Sequence, residues 1–299
     1  MSSLLDRVQK FFKSQKRRKI LDYVGRYFIA AIAILFALYP VAWILSASLD
    51  PRNSMVNQKL IPDNATLDNF RDLLTNPVHP YMTWFWNTLK IATISAILTV
   101  FVGLLSAYAF SRFRFPGRRN LLLSVFLIQV FPNSLTMVAT FLLIKAIGEF
   151  IPSMGLNSHG GLILIYLGGA MGINTWLMKG YLDSVPRDLD EAAKIDGASD
   201  WQIFWRVIVP LVRPIITVVA LLSFIGSYAD FLLPQILLQD TDKFTLAVGL
   251  TLFIRGGHYS QEWGVFAAGA LIGAIPIIVI YLFLQDYLVS GLTAGAVKG

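Results

Sequence analysis

Long apolar runs alternate with short polar links over most of the chain. Stretches free of Asp, Glu, Lys and Arg cover residues 27–49, 91–111, 120–144, 160–178 and 263–285. A further run from Pro214 to about Leu238 holds a single acidic residue, Asp230. Each run is close to the ~20 helical residues that cross ~30 Å of hydrocarbon. In lipid an open chain satisfies its backbone only as helix. The pattern therefore predicts an all-α polytopic membrane fold with six spans, the third lying within 120–144. It divides the chain into a basic segment 1–26, a first helix 27–49, a loop 50–85, a five-span core 86–286 and a tail 287–299.

The longest polar interruption in the C-terminal half is residues 186–214, PRDLDEAAKIDGASDWQIFWRVIVPLVRP. It reads as two short helices. Asp188 is placed to cap the first, and Leu189, Ala192 and Ala193 form its apolar face. Gly197 stands where a left-handed residue ends a helix. Ser199 and Gln202 have capping-box spacing for the second, whose apolar face is Trp201, Phe204, Trp205 and Ile208. Pro210 ends that pattern, and Pro214 opens the next apolar run. Ala192, Ala193, Gly197 and Ala198 let this backbone approach another surface closely, with the charges of Glu191 and Asp196 beside them. Two uses fit the pattern: a plug for a groove on a partner protein, or an amphipathic hairpin lying on the membrane surface.

Charge sets an orientation. Residues 1–26 carry eight Lys or Arg, residues 112–119 four, 179–213 five and the tail one. Only Arg52, Lys59, Arg71, Lys243 and Arg255 fall in the alternate loops. The positive-inside rule then puts both termini and the Glu191 segment in the cytoplasm. The basic first segment, interleaved with Leu4, Leu5, Val8, Phe11 and Phe12, suits a surface helix on anionic lipid. With 56% hydrophobic and 14% charged residues and a mean hydropathy of +0.62, the chain is far from the ~25% charge of soluble domains. The net charge of +7 follows membrane topology and implies no nucleic-acid partner.

Enzyme chemistry finds little purchase. There are no cysteines, which excludes disulfides and thiolate metal sites. No GxxxxGK[ST] phosphate loop occurs. His79, His159 and His258 have no second histidine at ligand spacing. The polar residues within spans are the remaining signal. Asp230 is costly at membrane depth, roughly 2.5–3.5 kcal/mol on insertion scales, so it either borders a solute path or pins the fifth helix to a neighbour. Gln129, Asn133 and Asn174 are weaker candidates of the same kind. Pro132 and Pro234 mark kinks in the third and fifth spans. In the loop 50–85 a short helix is expected near 67–74. In the loop 239–262, the apolar stretch Phe244–Ile254 reads either as an exposed contact surface or as packing against the loop 50–85. Arg255, Gly256, Gly257 and His258 form its tip.

Glu191-Ala192-Ala193, Asp196-Gly197-Ala198, Pro210 and Pro214 resemble, at full spacing, the EAA loop of ABC importer permeases. From about Asn87 onward the chain is similar to the smaller membrane subunits of the maltose/maltodextrin type. The similarity is closest at Leu156-Asn157-Ser158-His159-Gly160-Gly161, at Thr245-Leu246-Ala247-Val248-Gly249 and at Gly291-Leu292-Thr293-Ala294-Gly295. The resemblance implies a type I importer permease core over 86–286 and no ATPase site in this chain. It implies as partners a second related permease, two cytoplasmic ATPase subunits that use ATP and Mg, and an extracytoplasmic solute-binding protein that delivers carbohydrate. Glu191, Ala192, Ala193, Asp196, Gly197 and Ala198 would dock into the ATPase. The tip Arg255–His258 would meet the binding protein, and the tail would insert between the ATPases. A self-sufficient secondary transporter, with Asp230 as its ion-coupling group, is the alternative from another class.

Overall fold

The computed structural model describes residues 15–53, 58–129, 133–169, 172–255 and 261–296. Pro132, Gly256, Gly257, His258 and the first 14 residues lie outside the described residues. Among those described there is no strand, as expected for an all-α chain. The helices are α1 (Gln15–Leu49), α2 (Asp68–Thr75), α3 (Tyr81–Arg112), α4 (Arg118–Gln129), α5 (Asn133–Phe150), α6 (His159–Gly168), α7 (Ile173–Asp183), α8 (Asp188–Ile195), α9 (Asp200–Leu211), α10 (Arg213–Tyr228), α11 (Leu232–Leu237), α12 (Leu246–Leu250) and α13 (Trp263–Ala296).

Three of these are long and apolar enough to cross a membrane: 22–49 of α1, α3, and 263–285 of α13. Two bent pairs raise the number to five, α6 with α7 at 48° and α9 with α10 at 79°. The expected third span is represented by α4 and α5, on either side of residues 130–132.

The fold rests on α3. It packs against α10, α7, α6 and α12, while α13 bridges α10 to α1. Two buried clusters divide the molecule. One holds Leu73, Tyr81, Trp84, Ile91, Tyr228, Leu246, Val248, Leu250 and Phe253 at the end where α3 begins. The other holds Leu104, Ala107, Tyr108, Met178, Leu182, Ile203, Phe204, Ile208 and Val212 at the end where α3 stops. By contrast, the apolar window of α1 buries none of its residues within this chain. Lipid or another subunit must cover it.

Three boundaries differ from the sequence reading. Helix α3 starts at Tyr81, ten residues before the charge-free window, because its first turns stand under a cap of loop structure and need no charge-free surface. The fifth span ends at Tyr228, and a new helix begins at Leu232. Asp230 therefore lies in the break between two helices and not inside one. At the other end of the chain, α13 runs on without interruption to Ala296, so residues 287–296 of the expected tail are helical.

Candidate functional site

At the Arg112 end of α3, residues 186–214 form the expected helical hairpin. Helix α8 starts after Arg187, with Asp188 inside its first turn and no side-chain cap. Gly197 has φ +82°, the left-handed turn its position predicted. Ser199 and Gln202 close a full capping box at the start of α9. Pro210 does not stop α9. A wide π turn over Phe204–Ile208 comes immediately before it, where its missing N–H would leave an α-helical bond unmade. The real break is at Val212, ahead of Pro214.

The apolar face read from sequence, Leu189, Ala192 and Ala193, is split. Leu189 is 42% exposed and Ile195 87% exposed, and Glu191, Ala192, Asp196 and Gly197 are exposed beside them. Ala193 and Ala198 rest on the second cluster. The residue that turns inward is Asp190. Its Oδ2 lies 2.6 Å from Arg112 Nε, with side chains only 12% and 6% exposed respectively. Arg112 Nη2 also donates to the Val185 carbonyl at 3.1 Å. Arg187 donates to the Ser111 carbonyl at 2.7 Å, and the Ser111 hydroxyl donates to Asp183 at 2.7 Å. Lys179 pairs with the same Asp183. This network ties α8 to the last turn of α3. Sequence reasoning missed it, because Asp190 stands between Asp188 and Glu191 and nothing local tells which of the three acidic groups turns inward.

Of the second helix's predicted face, Phe204 and Ile208 are buried, while Trp201 and Trp205 remain largely exposed. Helix α8 thus exposes Leu189 and Ile195 together with Glu191 and Asp196, and a buried ion pair holds its base.

Within the membrane-depth region, Gln129 and Asp230 both attach to the broken fourth span. The Gln129 amide donates to the Gly169 carbonyl at 3.0 Å and accepts from the Ile173 N–H at 2.9 Å, so it joins the ends of α6 and α7. A Cβ at Gly172 would collide with that amide. Asp230 accepts from the Tyr166 hydroxyl at 2.8 Å and from the Leu232 N–H at 3.0 Å. It fastens the break after α10 to α6, the pinning geometry weighed from sequence. Asn174 lies 3.5 Å from the Ser223 hydroxyl. Asn133 begins α5.

At the opposite end, the stretch Phe244–Phe253 is not an exposed surface. Phe244, Leu246, Val248, Leu250 and Phe253 are buried. Trp84 Nε1 donates to the Thr241 carbonyl at 2.7 Å, Asn87 donates to the carbonyls of Asp242 (2.8 Å) and Phe244 (3.1 Å), and the Thr88 hydroxyl accepts from the Leu246 N–H at 2.7 Å. The packing alternative weighed from sequence holds, with the start of α3 as the main partner. Asn157, left-handed at φ +56°, anchors the neighbouring strip. Its amide donates to Asp240 at 2.6 Å and accepts from the Gln239 and Asp240 N–H groups at 3.0 and 3.1 Å. With Lys243, it holds the Asp240 carboxyl below the usual carboxylate range. Arg255 bonds Gln235. Among the described residues no cluster of three His, Asp or Glu could hold a metal.

Residues 87–294 match the family model for the "binding-protein-dependent transport system inner membrane component". The chain is 41% identical over 299 aligned residues to the maltose/maltodextrin transport system permease protein MalG of Salmonella typhimurium, covering 96% of this chain and 98% of that protein. It is 40% identical, with the same coverage, to the MalG of Escherichia coli K12. Among solved structures, a bacterial ABC transporter chain involved in importing the acidic polysaccharide alginate superposes with TM-score 0.76 at 26% identity, over 93% of this chain and 99% of that one. These relatives are permease subunits, and nothing in them favours a self-sufficient secondary transporter. The exposed, anchored hairpin, the broken spans and a match over more than half the chain lead to one conclusion: this protein belongs to the binding-protein-dependent inner membrane components, the permease subunits of prokaryotic ABC importers.

Proposed function

We propose that this chain is the smaller permease subunit of an ATP-driven importer for maltose/maltodextrin-like oligosaccharides. In this reading it crosses the membrane six times, with the pair α4–α5 as the third span and both termini in the cytoplasm. It pairs with a second, related permease. Two ATPase subunits bind and hydrolyse ATP with Mg, and an extracytoplasmic binding protein delivers sugar at the end capped by residues 239–255. The observation that carries the reading is helix α8, with Glu191, Ala192 and Ile195 outward and Asp190 locked to Arg112 beneath.

The geometry also supplies a route for force. When the ATPases close on ATP they would displace α8. The Arg112–Asp190 pair passes that displacement to α3, the hub of the bundle. The second cluster passes it through α9 to the 79° corner before α10. The tip from Arg255 through His258 would contact the binding protein, and the end of α13 would reach the ATPases.

The test is uptake of labelled maltotriose by proteoliposomes holding the whole assembly, energised either by ATP or by an ion gradient. ATP-dependent uptake with a co-purifying ATPase is expected. Uptake driven by the gradient alone would overturn the proposal.

A further inference from the structure

Where α3 gives way to α4, a cavity of about 550 Å³ opens between the link joining them and α7. Arg118, Arg119 and Lys179 line it together with Phe115, Asn120 and Leu122, and no acidic side chain among the described residues does. Gly117, left-handed at φ +79°, turns the chain just before Arg118 and Arg119 open α4. The chain answers little of this charge itself. Arg119 is exposed and makes no hydrogen bond or ion pair among the described residues. Arg118 donates to the neutral Phe113 carbonyl at 3.3 Å. Lys179 pairs with Asp183. One carboxylate thus stands against three cations. Like charges gathered in a concave wall raise the local concentration of anions, and basic pockets between helices at a membrane face take anionic lipid headgroups.

The walls change character away from the cations. Arg119, Leu122 and Phe126 share one face of α4, and Trp176 shares a face of α7 with Lys179. The rings of Phe126 and Trp176 meet with centroids 6.0 Å apart. They nevertheless remain 41% and 52% exposed, and α4 buries none of its residues within this chain. Two neighbouring helices therefore carry a tier of cations and, one to two turns further along each, an open apolar seam. A soluble anion would use the upper tier alone. A phosphate joined to an acyl chain uses both.

We propose that this pocket binds an anionic phospholipid of the bordering leaflet, its phosphate among Arg118, Arg119 and Lys179 and one acyl chain along Leu122, Phe126 and Trp176. The assignment needs the Arg112 end of α3 to lie at a membrane face, and it holds whichever solute the importer carries. Lys179 also pairs with Asp183, the acceptor of the Ser111 hydroxyl, so the headgroup shares a cation with the network beneath α8.

The test uses the complete importer in nanodiscs of phosphatidylcholine, with a trace of phosphatidylglycerol that carries a photoreactive group in its acyl chain. After illumination, labelled peptides of this subunit are mapped by mass spectrometry. Label is expected around Leu122, Phe126 and Trp176, several-fold above that from phosphatidylcholine carrying the same group. Arg119→Gln, an exposed change with no partner to lose, should cut this label several-fold, and adding Lys179→Gln should cut it further. Lys19→Gln with Arg26→Gln removes two exposed charges from α1 and should leave it unchanged. If the Lys179 variant does not assemble, Arg119→Gln alone decides. Equal labelling by the two lipids would mean that the seam is bathed by lipid without headgroup recognition and would overturn the assignment. No label from either lipid would place a partner subunit or a soluble anion there, with the same consequence. Unchanged label in Arg119→Gln, or an equal loss in the α1 pair, would reduce the effect to general surface charge and overturn it as well.

Discussion

Breaking the Arg112–Asp190 pair is the sharpest test of how α8 is held. The two side chains are 6% and 12% exposed and meet at 2.6 Å, so little solvent screens them. Removing one partner of a buried pair leaves a charge without compensation and costs about 3–5 kcal/mol. Asp190→Ala should fall at the lower end, about 3 kcal/mol, because Arg112 keeps the Val185 carbonyl. Arg112→Ala loses that bond as well and should approach about 5 kcal/mol. The double change Arg112→Met with Asp190→Leu removes both charges and should cost far less than either single change. The assay is hydrogen exchange in the assembled complex, read at the amides of Asp196, Gly197 and Ala198, which close the end of α8 on carbonyls of Ala192, Lys194 and Ala193. At 1.4 kcal/mol per decade, the single variants should exchange about 10²- to 10³-fold faster or more, up to the limit of full exposure. Binding-protein-stimulated ATPase activity should lose its coupling to uptake in step. Exchange within threefold of wild type in Asp190→Ala would show the pair to be solvated and refute the anchor.

Four further outcomes are expected. Gly197→Pro cannot adopt φ +82° and should release the ATPase or uncouple uptake. Gly197→Ala meets no atom within 4 Å and should cost only about 1–2 kcal/mol of left-handed strain; normal uptake by the proline variant would contradict the docking role. Asp230→Leu strips the acceptor from both Tyr166 and the Leu232 N–H and should lower thermal stability before it alters sugar preference, with Asp230→Asn retaining most of it; an unchanged melting temperature in the leucine variant would count against the pin. Gly172→Ala should displace the Gln129 amide and destabilise the complex by as much as Gln129→Ala, and the two changes together should add little, as a double-mutant cycle on thermal stability would reveal. Shortening Arg255–His258 should leave the ATPase bound but keep sugar on the binding protein in complexes trapped with an ATP analogue; complete sugar release would leave the tip without that role.

Local chemistry was legible wherever a residue's constraint came from its immediate neighbours. The left-handed Gly197, the Ser199–Gln202 capping box and the start of α10 beside Pro214 were all readable, as was the all-helical class from the apolar windows. What one sequence does not show is which way an apolar face turns. In α8 the apolar positions Leu189 and Ile195 are exposed, and the inward anchor is the Asp190–Arg112 ion pair. For 244–253 the sequence left surface and packing both open. Packing wins because Trp84, Asn87 and Thr88, more than 150 positions away in sequence, fold over the stretch. Asp230 was placed inside a helix because the sequence marked only a kink at Pro234, and no local signal told that Leu232 would begin a second helix. Pairings at such distances leave no period or spacing in one sequence.

Those distant bonds at the start of α3 also set an order of events during synthesis. Asn87 finds the Asp242 carbonyl only after 155 further residues have been made. At about 5–20 residues per second, that is a wait of roughly 8–30 s. Through this interval the indole of Trp84, the amide of Asn87 and the hydroxyl of Thr88 lack their final partners. They can wait because they stand at the end of α3 beside Lys90, where water substitutes. The hydrogen bond of Tyr166 to Asp230, set in the bundle, closes after only 64 residues. The start of α3 thus stays open until residues 241–246 emerge, and a ribosome stalled before residue 240 would leave the bundle without this lid and without α13.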